Sequence, residues 1–140
     1  MKKRHFLIFI SLFIVTILGF SFKFYRGEFA QEWLNNSGAA IWYEVFWCLL
    51  FFWFIPTKKA VITIPLWVFV ITCALEFLQL WQFPMLQFAR STLVGRLLLG
   101  TTFSWWDFPH YAIGCIIGWF WLRQIRRFSA TIPDAIAPTD

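Results

Sequence analysis

Residues 6–22 form a seventeen-residue run without a single charge. Two more long apolar runs follow at 39–55 and 60–80. A bilayer core about 30 Å thick asks for roughly 17–25 mainly apolar residues per helical crossing, and runs of that length mark membrane spans. Composition agrees: 60% of the 140 residues are hydrophobic, 23% are aromatic and 14% are charged, against about 45–50% apolar and about 25% charged in soluble domains. Nineteen phenylalanines and ten tryptophans exceed what the core of so short a chain can hide from water. The same numbers exclude intrinsic disorder.

The first run follows Lys2, Lys3 and Arg4, as a signal peptide would, but Ser21-Phe22-Lys23-Phe24-Tyr25 lacks a small-x-small cleavage pattern, so a retained anchor is expected. The second run carries Glu44 near its start, an expected interface residue. Asn35-Asn36-Ser37-Gly38 precedes it as a turn cluster. Pro56-Thr57-Lys58-Lys59 separates it from the third run, which predicts a tight helical hairpin. Pro65 sits early in the third run, where a local kink is tolerated in lipid; Glu76 and Gln79 lie near its end. Residues 81–106 are mixed in character and read as an interfacial or re-entrant segment edged by Trp81, Trp105 and Trp106. A last run, from about 106 to 122, opens with Asp107 and Pro109, residues suited to a helix start. The expectation is an all-α membrane protein: one domain, 1–128, with four transmembrane helices at about 6–22, 39–55, 60–80 and 106–122, and a disordered cytoplasmic tail at 129–140.

The formal charge of +5 raises nucleic acid as a partner, but its placement speaks for topology instead. With both termini cytoplasmic, Lys2, Lys3, Arg4, Lys58, Lys59, Arg123, Arg126 and Arg127 fall inside, while Lys23, Arg26, Arg90 and Arg96 fall outside. Eight against four obeys the positive-inside rule. No basic stripe with interleaved polar readers exists, so no nucleic-acid partner is expected. Cys48, Cys73 and Cys115 each sit inside an apolar run without CxxC spacing. They read as packing residues, and neither a metal site nor a cofactor is expected.

This topology gathers the polar residues of spans two to four at one membrane level. Glu76 and Gln79, three apart, share a helix face. Asp107, His110, Tyr111, Gly114 and Gly118 follow one another along one face of the last span, with the two glycines forming a small-xxx-small pair for close helix packing. The expected arrangement sets this stripe against the Glu76 face of span three, with Arg90 or Arg96 folded over it. A carboxylate inside a membrane costs about 2.5–3.5 kcal/mol at mid-helix, so Glu76 should be paired or protonated, and an arginine grips a carboxylate or a phosphate with two donors. The plainer alternative is a Glu–Arg pair that only ties the loop to the bundle. His110 alone reads as an interfacial hydrogen bonder rather than a base.

Glu76-x-x-Gln79, Arg90, Gly95, Leu99-Gly100, Phe103, Asp107, Tyr111 and Gly114, in that order, resemble the domain of unknown function 2809 family of bacterial membrane proteins, over roughly residues 41–122. That family looks related to the VanZ-like proteins, which share an E-x-x-Q, arginine, aspartate and glycine order. The family's usual Gly-Asp before span two is replaced here by Gly38-Ala39. The resemblance implies a four-span protein of the bacterial cytoplasmic membrane. Through the association of VanZ-like proteins with teicoplanin resistance, it also points to the cell envelope, by analogy alone.

Three functions compete. The first is a non-enzymatic protein holding an anionic lipid or lipid-linked headgroup at the outer leaflet. Arg90 and Arg96 would take phosphate, Gln79, His110 and Tyr111 would orient it, Glu76 would set the arginine geometry, and Asp107 belongs to the same ligand-binding set. The second is an enzyme acting on such a lipid, with Glu76 or Asp107 as base and His110 as acid or base; no serine or cysteine nucleophile beside a base supports it. The third is an accessory subunit or homodimer that binds another membrane protein through Gly114, Gly118 and aromatic surface. Membrane lipids are the expected partners on the first reading, which the sequence favours.

Overall fold

The computed structural model describes residues 2–130, and among them every regular element is helical. The chain runs α1 (Lys2–Lys23), α2 (Gln31–Trp33), a π-helical turn (Leu34–Gly38), α3 (Ala39–Phe54), α4 (Ala60–Leu78), α5 (Pro84–Ser91), α6 (Leu93–Leu99) and α7 (Asp107–Ala130). Three helices are long and apolar enough to cross a membrane: Lys2–Lys23, the continuous Gln31–Phe54, and Ala60–Leu78. The 24-residue α7 is as long, but only the fifteen residues 108–122 lie between Asp107 and Arg123.

Local chemistry sets the ends. Pro56 disfavours helical geometry at Ile55, which takes φ −126° and ψ 70° and stops α3. Thr57 Oγ1 then accepts from Ala60 N at 3.1 Å and starts α4. At the far end of α4, Gln79, Leu80 and Trp81 donate to the carbonyls of Glu76, Phe77 and Leu78 at 3.1 Å each, tightening the last turn into a 3₁₀ pattern. Pro84 opens α5 where its missing N–H costs nothing. Thr92 forms the corner to α6, donating to Ala89 O at 2.8 Å and accepting from Gly95 N at 3.0 Å. Gly100, at φ 70°, ends α6 in a conformation that a side chain would strain.

The run Asn35-Asn36-Ser37-Gly38, expected as a turn, lies in the π-helical turn and keeps the helix continuous from Gln31 to Phe54. Asn35 faces the end of α1, where its amide, turned so that the nitrogen points at them, donates to the carbonyls of Phe22, Lys23 and Tyr25 at 2.7, 3.2 and 3.1 Å. These carbonyls have no partner within α1, so the wide turn serves α1 as much as α3. Ser129 and Ala130, expected in the tail, continue α7, and the rest of the tail, 131–140, lies outside the described residues.

Each long helix buries one stripe. On α4 it is Ile64, Val68, Thr72 and Glu76, one residue per turn; on α3, Glu44, Val45, Cys48, Leu49 and Phe52; on α7, Gly114, Cys115, Gly118, Leu122 and Ile125. The stripes meet with α7 against both α3 and α4, and α1 lies along α3, His5 meeting Trp53 at one end and Phe22 meeting Trp42 at the other. The end of α1, the start of α3, the end of α4 and the start of α7 therefore share one end of the bundle.

The glycine pair of α7 faces α3 and not α4, contrary to expectation. A Cβ at position 114 would stand 2.6 Å from Glu44 Cβ and 2.7 Å from Ile41 O, and one at 118 would stand 2.8 Å from Cys48 Sγ. Small residues let two backbones touch, and α3 offers that surface at Ile41, Glu44 and Cys48. What α7 presents to α4 at the polar end is Tyr111.

Candidate functional site

An open cleft of about 1700 Å³ occupies the polar end of the bundle. Val15, Gly19 and Phe20 of α1 form one wall, Trp42, Phe46 and Trp47 of α3 another, and Thr72, Glu76 and Gln79 of α4 reach it from below. The α1–α2 connection and residues 96–102, together with Ser104, Trp106, Asp107 and Tyr111, complete the lining. Tyr43 Oη donates to Leu98 O at 3.1 Å and fastens α6 across the cleft to α3.

Glu76 is fully buried and holds three elements together. Its Oε1 accepts from Ser104 N at 2.8 Å; its Oε2 accepts from Gln79 Nε2 and from Tyr111 Oη, both at 2.8 Å. The α4 helix supplies Glu76 and Gln79 three residues apart on one face, the loop supplies a backbone N–H, and α7 supplies the phenol. The donors are neutral protein groups, and neither Arg90 nor Arg96 is among them. A ring cluster clamps the same loop from outside: Phe77 meets Phe103, Trp105 and Phe108 at 6.0, 6.2 and 5.3 Å, and Phe108 meets Tyr111 at 6.5 Å. Gly100 is pressed against Gln79, where a Cβ would stand 2.5 Å from Nε2.

The other expected residues separate. Arg90 turns back beneath its own segment, donating from Nη2 to Leu78 O at 3.3 Å, and so ties α5 to the end of α4. Arg96 is exposed and lines the cleft, as does Lys23 from α1. Asp107 lines the cleft beside Glu76. His110 Nδ1 lies 2.6 Å from Trp106 O, and its ring meets the edge of Trp33 at 6.0 Å, placing it against α2 rather than against Glu76.

A second acid was missed. Glu44, expected at the membrane interface, is fully buried between α3, α4 and α7. Its Oε2 lies 3.1 Å from Cys115 Sγ and 3.3 Å from Thr72 Oγ1. Ser104 was also missed, because it acts through its backbone N–H. The signal for Glu44 was present in part, since Thr72 lies one turn from Glu76 and Cys115 one turn from Tyr111, so the polar faces of α4 and α7 both extend inward.

No curated protein and no solved structure matches the chain. Residues 29–115 do match the family described as Protein of unknown function (DUF2809), a stretch that runs from just before α2 into the middle of α7 and holds both buried acids, the loop and both arginines. That stretch is more than half of the chain, which therefore belongs to the DUF2809 family.

Proposed function

We propose that this chain is a four-span protein of the bacterial cytoplasmic membrane whose cleft holds the headgroup of a lipid, or of a lipid-linked molecule, at the outer leaflet. The observation that carries the reading is the cleft itself: apolar helix faces on two sides, and charged groups around the end of the bundle. An amphiphile needs that pairing of surfaces. α7 serves as the fourth span, with Arg123 over the Trp119 ring at 5.5 Å anchoring its far end. α5 and α6, with Met85, Phe88, Leu93 and Val94 exposed, lie in the interface as short amphipathic pieces. The distribution of lysine and arginine supports a cleft on the outer side.

The lining refines the ligand. Arg96 and Lys23 are its cations, and Glu28, Glu32, Glu76 and Asp107 its acids. Glu76 is taken up by three protein donors, which leaves Glu28, Glu32 and Asp107 to meet a ligand. A headgroup with a phosphate and an amine satisfies both signs, whereas a purely anionic one faces three carboxyl groups. Arg96 takes the phosphate, and Arg90, committed to Leu78, keeps the loop in place. The relation to VanZ-like proteins and the role in the cell envelope belong to this same reading.

The test is native mass spectrometry of lipid retained by purified protein, with folding checked by circular dichroism. Wild type is expected to keep an amine-bearing phospholipid in preference to phosphatidylglycerol. Arg96→Ala loses the lipid, and Glu32→Gln with Asp107→Asn loses the preference. Equal, unspecific lipid on all variants overturns the reading.

A further inference from the structure

Beneath the cleft lies Glu44, an acid outside the cleft's lining. It is fully buried, its Oε1 has no hydrogen-bond partner, and its Oε2 has two weak ones. Among the described residues, the titratable groups named around it carry no positive charge. α3 itself brings Tyr43 and Cys48, α4 brings Thr72, Cys73 and Glu76, α7 brings Tyr111 and Cys115, and α1 has no titratable side chain between Phe6 and Phe22. An uncompensated charge enclosed by three helices is among the most expensive arrangements a protein can hold.

The hydrogen inventory of Thr72 sharpens this. Its Oγ1 lies 2.9 Å from Val68 O, 3.1 Å from Phe69 O and 3.3 Å from Glu44 Oε2. A hydroxyl owns one proton, and the two backbone carbonyls, acceptors only, hold it, as a threonine inside a helix commonly allows. The proton of the longer contact must then come from the acid. Cys115 adds only a thiol, a weak donor. Thr72 meanwhile lines the cleft, which Glu44 does not. Thr72 is thus both a neighbour of Glu44 and part of the cleft wall.

We propose that Glu44 is a proton-binding carboxyl at the centre of the bundle, exchanging its proton with the cleft through the Thr72 hydroxyl. In the exchange, Thr72 Oγ1 accepts the acid's proton and releases its own to a water or base in the cleft, so the threonine ends unchanged. The reverse passage reloads the acid. When Glu44 is unloaded, its charge sits where Gly114 lets α7 touch α3, so the same contact that closes the bundle senses the proton.

Infrared difference spectroscopy tests this on the full chain in detergent, at neutral pH. The spectrum of wild type minus Glu44→Gln is expected to show the carbonyl stretch of a protonated carboxylic acid, and transfer to D₂O shifts that band. Loss of carboxylate bands instead overturns the proposal, and so does an acid band that ignores D₂O. Should Glu44→Gln fail to fold, Thr72→Val in protein with ¹³C-labelled glutamate decides: an acid band moved to higher frequency upholds the site, and a band left in place, or only carboxylate bands, overturns it. The reading does not depend on bound lipid. An acid band together with unspecific lipid retention upholds Glu44 and overturns the headgroup site, and the opposite pair of results does the reverse.

Discussion

At the scale of single residues, two carboxyl groups are fully buried among the described residues, with opposite surroundings. Glu76 meets three neutral donors from three parts of the chain; Glu44 meets two weak contacts and keeps one oxygen bare. Glu76 is thus a fastener, and its removal should cost more than the removal of any one donor. Tyr111→Phe deletes one hydrogen bond, worth about 0.6 kcal/mol on average between membrane helices. Glu76→Ala leaves Gln79, Ser104 N and Tyr111 unpaired at once, at about 1–3 kcal/mol for each that water cannot reach. Thermal melting in detergent should therefore rank wild type above Tyr111→Phe and both well above Glu76→Ala. Equal melting of the two variants would mean that the loop does not depend on the acid. The sequence made Glu76, Gln79, Asp107 and Tyr111 legible because each lies three or four residues from another polar group on one helix. It hid Glu44, whose partners Thr72 and Cys115 lie on other helices, in contacts that spacing along one helix does not reveal. It also suggested an arginine for Glu76, because charge is visible in a sequence and a backbone N–H such as that of Ser104 is not.

At the scale of elements, what holds the helices together differs from a soluble core. Lipid tails are as apolar as leucine, so burying Phe52 or Leu122 gains little over leaving it in lipid, and close approach and hydrogen bonding decide. One such close approach is α7 on α3 at Gly114. There the obstacles to a Cβ are Glu44 Cβ and the Ile41 carbonyl, neither of which can swing aside; at Gly118 the first obstacle is the Cys48 side chain, with Cβ at 3.0 Å. Gly114→Ala should separate the helices and cost about 1–3 kcal/mol, as overpacking does, with Gly118→Ala costing less. Cys48→Ala should recover part of the loss in Gly118→Ala and none of that in Gly114→Ala. The same melting series measures all four variants, and a Gly114→Ala protein as stable as wild type would show that α7 does not bear on α3 as described. Helix positions were legible from the apolar runs, and the glycine pair from its spacing. Which helix the glycines face was not, because a small-xxx-small face fits any neighbour with a matching surface, and that surface, Ile41-Glu44-Cys48, contains an acid that seemed to belong at the membrane edge.

At the scale of the whole molecule, the question is whether α7 crosses the membrane. Its apolar stretch of fifteen residues is short for a bilayer core. Yet α7 runs 24 residues and is packed against both α3 and α4 along its length, with Leu122 fully buried near its far end. The proposed reading has α7 share the path of these two helices, which brings Arg123, Arg126 and Arg127 out on the side where Lys58 and Lys59 lie. Mismatch of a few residues is accommodated by local thinning or by flanking side chains that reach the interface. The consequence is a pattern of access. In intact cells, an impermeant maleimide should label Thr101→Cys and Asn36→Cys from outside, and should reach Thr57→Cys and Ser129→Cys only after the membrane is opened. Ser129→Cys is the deciding position. Labelled from outside along with Thr101→Cys, it would leave α7 on the surface, place the chain's positive end outside, and remove the wall on which Tyr111 and the cleft depend. Labelled with Thr57→Cys, it makes α7 the fourth crossing and fixes the cleft at the face opposite the basic clusters.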